Sequence, residues 1–320
     1  MKPNKHNGSG ATMARLVVTI TPALILMLIS PAAQAGSARK AATQGATGTI
    51  EVIRVFDYPA HNALTLPEGI NDQGDISGSI SPLSNFLKVR GFLRLNNGHF
   101  TPPISDPNAH NYTTIWGLNN ARTLCGFYYD PSDGDFHSFF LFSDGTFSPF
   151  AVEGAESTDL YAINDIGNFC GDADFSTGEF AWLSVNGVVT FINIDGATSS
   201  AASGINNLNE VVGSYTDSTG AEHGYFRDGA GNITAPIDIA GASSTELRGI
   251  NDNDLMVGRY YDSAGESHGF AFKFPNTVIV FDYPGSSETA LNGINNAGQM
   301  VGYYKDATTL LAHGVVARVR

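Results

Sequence analysis

The chain is poor in the residues and signatures that mark most enzymes. It holds two cysteines and two tryptophans in 320 residues. Gly-x-Ser-x-Gly, His-Glu-x-x-His and phosphate-binding glycine loops are all missing, so no familiar nucleophile, metalloprotease or nucleotide signature is present. No Cys/His spacing matches a zinc site, and neither a metal nor a cofactor is expected. Cys125 and Cys170 each stand one residue before a repeated glycine, where other copies of the repeat carry Ser77, Val212, Val257 and Val301. A position that accepts Cys, Ser or Val is small and buried. Two free thiols are expected, because equivalent residues on neighbouring sheets lie beyond the roughly 7 Å Cα separation that a bridge tolerates. The alternative is a disulfide, which an exported protein can form.

Positive charge is scarce, and long apolar runs are scarcer. Lys2, Lys5 and Arg15 precede the apolar run Leu16 to Ile29, and Ala33-Gln34-Ala35 supplies small residues for cleavage. The pattern predicts a signal peptide over residues 1–35, a linker over 36–48 and a single folded region over 49–320. No later segment is long and apolar enough to span a membrane. Removing residues 1–35 takes away those three bases and no acid, leaving 14 Lys+Arg against 31 Asp+Glu, a net charge of −17. Such a surface repels phosphate backbones, so nucleic acid is not an expected partner. The expected location is secreted, either extracellular or periplasmic.

What the chain does contain is repetition. An apolar stretch ends in Ile-Asn or Leu-Asn six times, at Asn71, Asn119, Asn164, Asn206, Asn251 and Asn295. A glycine follows seven residues later each time: Gly78, Gly126, Gly171, Gly213, Gly258 and Gly302. The anchors lie 48, 45, 42, 45 and 44 residues apart. In residues 245–286, short strands are expected over 245–251, 255–261, 268–272 and 278–283, separated by Asn/Asp and Asp/Gly turns. Four short strands in about 45 residues match one blade of a β-propeller.

The last copy stops one strand short, while Ile53-Arg-Val-Phe-Asp-Tyr-Pro59 near the start echoes Val278-Ile-Val-Phe-Asp-Tyr-Pro284, an outer strand. The expected fold is therefore all-β: a six-bladed β-propeller closed by an N-terminal outer strand, with residues 50–58 completing the blade of residues 289–320. Such closure removes open sheet edges.

The units Gly-Ile-Asn-Asn-x-Gly-x-x-Val-Gly-Tyr-Tyr, His-Gly-Phe and Phe-Asp-Tyr-Pro-Gly resemble the HAF-type extracellular repeat of bacterial exported proteins. The resemblance covers nearly all of residues 50–320 and is clearest in units four to six. Unit one departs with Arg90-Gly-Phe92 and unit three with Glu179-Phe-Ala181. The resemblance implies export and a repeat-built β fold, and it carries no catalytic residues over.

Residues shared by the copies are expected to serve the fold. The anchor asparagines cap turns, and His137, His223, His268 and His313 bond within their blades. Asp130, Asp217, Asp262 and Asp306 make Asx turns. Asp130-Pro-Ser-Asp133-Gly-Asp135 is rich in acids but lacks the spacing of a helix-loop-helix calcium site.

Function is expected where the copies differ. Three residues before each anchor stand Glu68, Trp116, Tyr161, Ser203, Arg248 and Asn292, with Asp159 and Glu246 two residues further back. These eight are the candidate ligand-binding residues at the mouth of the axial channel, with Trp116 as an exposed aromatic anchor. The expected function is a non-enzymatic binding or surface-associated module that recognises a glycan or an extracellular protein loop. The alternatives are a polysaccharide hydrolase or lyase using carboxylates of that ring, and a purely structural repeat protein.

Overall fold

The computed structural model describes residues 41–42, 48–85 and 88–320. The expected signal peptide and most of the linker lie outside the described residues. Every regular element is a strand: no helix among the described residues is long and apolar enough to cross a membrane.

A two-residue strand β1 (Ala41–Ala42) and a longer β2 (Ile50–Phe56) precede the first repeat. Unit one is β3 (Ala63–Ile70), β4 (Ile76–Pro82) and β5 (Arg90–Arg94). Unit two is β6 (Thr113–Leu118), β7 (Leu124–Asp130), β8 (Asp135–Leu141) and β9 (Phe147–Phe150). Unit three is β10 (Ser157–Ile163), β11 (Phe169–Phe175), β12 (Gly178–Val185) and β13 (Val188–Phe191). Unit four is β14 (Ala197–Ile205), β15 (Val211–Asp217), β16 (Glu222–Arg227) and β17 (Ile233–Ile239). Unit five is β18 (Ser244–Ile250), β19 (Met256–Tyr261), β20 (Ser267–Lys273) and β21 (Thr277–Phe281). Unit six is β22 (Ser286–Ile294), β23 (Gln299–Asp306) and β24 (Ala312–Val319).

Within each unit successive strands pair antiparallel, as tight Asx and glycine turns demand. The architecture is an all-β propeller. Six separate blades are expected from the sequence, whereas hydrogen bonding defines five sheets. Four of these contain three to five strands each. The fifth has eight, because one parallel residue pair, Ser267 with Glu288, joins unit five to unit six. β2 pairs antiparallel with β24, from Ile50 opposite Val319 to Phe56 opposite Gly314. The strand near the start of the chain thus lies at the outer edge of the last unit, as the sequence echo predicts.

Apolar faces meet between successive units. Leu247, Ile250 and Phe270 of unit five pack on Val212, Ile237 and Ile239 of unit four. Phe56, Val301 and Val316 pack on Ile70, Ile76 and Phe92, so the last unit touches the first. Burial of such side chains contributes about 1.5–3 kcal/mol each. Cys125 and Cys170 are free, fully buried members of two of these interfaces.

The repeated glycines answer a steric need. A Cβ on Gly171 would stand 1.8 Å from the Asp159 carbonyl oxygen, and one on Gly126 would stand 2.0 Å from that of Thr114. Only glycine lets the second strand approach the inner one this closely.

The anchor asparagines do more than cap. Each Oδ1 accepts from the backbone N–H four residues on, as Asn119 does from Thr123 at 3.0 Å. Each Nδ2 donates to the carbonyl of the next anchor: Asn71 to Asn119, Asn119 to Asn164, Asn164 to Asn206, Asn206 to Asn251, Asn251 to Asn295, and Asn295 back to Asn71.

The residue after each anchor forms a second belt, and its identity alternates: Asp72, Asn120, Asp165, Asn207, Asp252, Asn296. Each aspartate Oδ2 accepts from the amide groups of both neighbouring asparagines, at 2.7–3.2 Å. Each backbone N–H in the belt donates to the next side-chain Oδ1.

Candidate functional site

Pairing between the first two strands of every unit slips at the variable residue. The register breaks between Pro67 and Gly69, Ile115 and Gly117, Leu160 and Ala162, Ala202 and Gly204, Leu247 and Gly249, and Leu291 and Gly293. The residues left over are Glu68, Trp116, Tyr161, Ser203, Arg248 and Asn292. A bulged residue leaves the ladder, and its side chain is re-aimed. Here all six line one cavity of about 90 Å³ that is open to solvent. The glycine after each bulge draws the ring tight: a Cβ on Gly293 would stand 2.6 Å from the Glu68 carbonyl, and one on Gly117 would stand 2.8 Å from that of Tyr161.

Asp159 and Glu246 do not line this cavity. Each lies one layer behind it, beside a ring residue. Asp159 accepts from the Tyr161 hydroxyl at 3.3 Å. Glu246 is held by Arg248 at 2.7 Å and Arg259 at 2.9 Å. Burial pushes the Glu246 carboxyl up, but the two guanidiniums outweigh it and hold the group at about 2.

Glu68 behaves differently. Its Oε2 is buried without a hydrogen-bond partner among the described residues. Burial raises its carboxyl to about 7, and the more distant Arg248 and Arg259 offset this only in part. Arg248 also reaches the Asn292 Oδ1 at 3.5 Å, and the Asn292 amide donates to the Pro67 carbonyl at 2.9 Å.

Trp116 corrects the expectation of an exposed anchor. It is half-buried, stacked at 6.3 Å on Phe127 and edge-on at 4.8 Å to Tyr161. Tyr112, Tyr129 and Phe136 complete this aromatic group. The indole Nε1 has no partner.

Three acids escaped the sequence reading. Asp172 on β11 lies opposite Asp159, and Glu179 on β12 follows. Asp172 is 3% exposed. Burial, then Asp159 and Glu179, pushes its carboxyl well above the usual range. Burial, then Asp174 and Glu179, raises Asp159 to about 7. Glu222 on β16 is raised to about 7 by burial and by Glu246, with the two arginines opposing. The signal was within reach: the residue after each repeated glycine is Ser79, Phe127, Asp172, Ser214, Arg259 or Tyr303. It varies much as the ring position does.

The shared histidines and aspartates serve the fold as expected. His223 Nδ1 meets Asp238 at 2.7 Å, His268 Nδ1 meets Asp282 at 2.7 Å, and His313 Nδ1 meets Asp57 at 2.8 Å. His137 bonds Asp133 at 2.9 Å. Asp130, Asp217, Asp262 and Asp306 each accept from the backbone two residues on. Among the described residues, Asp130 with Asp133 and His137, and Asp262 with Glu266 and His268, stand close enough to share an ion. In the first group Asp130 Oδ1, Asp133 and His137 are already engaged in these turns and pairs.

Fold and cavity together define a propeller with a polar, partly aromatic axial pocket. Solved structures of that shape resemble the chain. TolB from Acinetobacter baumannii matches with a TM-score of 0.51 at 10% identity, over 81% of this chain and 65% of that protein, just under two thirds of its length. A variant of Aleuria aurantia lectin, solved in complex with Fucα1-6GlcNAc, matches with a TM-score of 0.51 at 11% identity, over 82% of this chain and 95% of the lectin. At such identity the likeness is one of fold. No family model matches the chain, and no curated protein matches it in sequence.

Proposed function

We propose that the chain is a secreted, non-enzymatic binding module: a six-bladed propeller of the HAF-repeat type whose axial cavity holds a glycan. The convergence of six bulged, mutually different side chains on one cavity carries this reading. A fold-serving position would repeat its residue, as the anchors do. The cavity offers an aromatic wall in Trp116 and Tyr161, and hydrogen-bonding groups in Ser203, Arg248, Asn292 and Glu68. The likeness to a lectin fold agrees with this choice, and a protein loop is the competing occupant.

The hydrolase or lyase reading is weaker. Glycoside chemistry uses one protonated and one ionised carboxyl with free oxygens. Glu246 is the ionised one, and both its oxygens are engaged by Arg248 and Arg259.

A glycan array probed with the purified chain lacking residues 1–35 tests the reading. Binding that Trp116→Ala and Arg248→Ala both weaken at least tenfold is expected; binding indifferent to both places the ligand elsewhere. Removing residues 36–60 tests the ring closure, since it takes β2 from β24 and exposes an edge. A lowered melting temperature is expected, and an unchanged one overturns the closure.

A further inference from the structure

The geometry points to a second element of recognition beside the cavity: a pocket for an ammonium group, formed by Asp159, Asp172 and Glu179 against the rings of Trp116 and Tyr161. It rests on the glycan reading above and narrows it to a glycan with free amino groups.

Two buried acid clusters flank the axis, and only one has its cations. Glu246 has Arg248 and Arg259. Among the described residues, no ion pair includes Asp159, Asp172 or Glu179. The groups acting on them are other acids and tyrosines. Asp159 Oδ1 and Asp172 Oδ1 are both buried without a hydrogen-bond partner among the described residues. Isolated buried carboxylates are costly and are normally paired. Two unpartnered oxygens on facing residues of neighbouring strands form a receptor for a donor that arrives with a ligand.

The surroundings select the kind of donor. The ligand-atom groups that could share a metal ion lie elsewhere, on exposed turns. The acids instead touch an aromatic group: the Tyr161 hydroxyl donates to Asp159, and Trp116 lies 4.8 Å from the Tyr161 ring. Carboxylates beside aromatic faces suit an organic cation, which gains from both charge and ring quadrupole. An alkylammonium has three donors, enough for Asp159 Oδ1, Asp172 Oδ1 and one further acceptor. The axial cavity in front of these acids holds hydroxyl-, amide- and guanidinium-bearing side chains in Ser203, Asn292 and Arg248. Those suit the hydroxyl groups of a sugar ring that carries the amine.

Isothermal titration calorimetry with the chain lacking residues 1–35 separates the outcomes. The probes are a glucosamine tetramer, its fully N-acetylated counterpart and spermidine. The glucosamine tetramer is expected to bind at least tenfold more tightly than the acetylated one. The double substitution Asp159→Asn with Asp172→Asn is expected to abolish that preference while leaving weak binding of the acetylated sugar unchanged. Both are isosteric amides, and thermal melting verifies that the variant folds; Glu179→Gln supplies a milder reduction if it does not. Equal binding of the two sugars, unaltered by the substitutions, overturns the ammonium pocket and leaves the glycan reading standing. Binding of spermidine alone keeps the pocket and overturns the glycan. Binding of none of the three overturns the pocket, and the wider glycan array then decides the reading on which it rests.

Discussion

In unit five a buried carboxylate sits between two guanidiniums, and Glu246 is held at about 2. In unit three the same strand position is Asp159, its cross-strand neighbour is a second acid, and the carboxyl rises to about 7. The backbone is the same in both units, down to the bulge that follows. The difference lies in two residues: Arg248 at the bulge and Arg259 on the second strand in unit five, Tyr161 and Asp172 in unit three. A repeated scaffold therefore fixes where charge is buried and leaves its sign free. Unit five is complete in itself, whereas unit three carries open acceptors.

The largest test of this contrast is Glu246→Ala. It leaves Arg248 and Arg259 buried without their carboxylate, and urea denaturation should show a loss of about 3–5 kcal/mol. A loss under about 1 kcal/mol would mean that the arginines find water, and that the two units differ less than their geometry says.

Trp116→Ala probes the aromatic side. The indole packs on Phe127 and Tyr161, so its removal should destabilise by about 3 kcal/mol, measured by the same titration. Full stability would show that the rings of unit two do not support the wall.

The contrast also has a pH signature. Glu68 and Asp159 have raised carboxyls, so between about pH 4 and 7 the folded state binds more protons than the unfolded chain. Stability should therefore rise as pH falls from 7 to 5, by about 2 kcal/mol for each group, and Glu68→Gln should remove its share of the rise. Glu246 acts in the opposite sense, but only below its ordinary value near 4.5, as pH falls toward 2. Thermal melting at pH 7 and pH 5 reads the first effect, and melting at pH 4 and pH 2 reads the second. A melting temperature that falls between pH 7 and 5 would overturn the assignment of unpaired acids.

The smallest effect expected is Asp172→Asn. Replacing a buried acid that has no cation by its isosteric amide should leave stability unchanged or raise it by about 1 kcal/mol, where the substitution in unit five destabilises.

Much of this was legible in the sequence because the chain repeats itself. The anchors and glycines located every hairpin, and the echo between residues 53–59 and 278–284 located the pairing of β2 with β24. The ring position was legible as the place where six copies disagree. The bulge was not, because a register slip belongs to two strands at once and leaves no mark in either. The burial of Trp116 was missed for a related reason: Phe127 and Phe136 reach it from later strands. Asp172 and Arg259 stand on the second strand and Glu179 on the third, so what each meets on the inner strand is set by strand pairing and not by its sequence neighbours. The division into sheets also exceeded the sequence, since one residue pair, Ser267 with Glu288, joins two units.

The belt of Asp72, Asn120, Asp165, Asn207, Asp252 and Asn296 gives the repeat number a parity. Carboxylates only accept and amides both donate and accept, so the belt closes without conflict only when the two kinds alternate. Duplicating or losing a single unit would set two aspartates, or two asparagines, side by side at the seam. A chain of this kind can lengthen or shorten cleanly only by two units at a time.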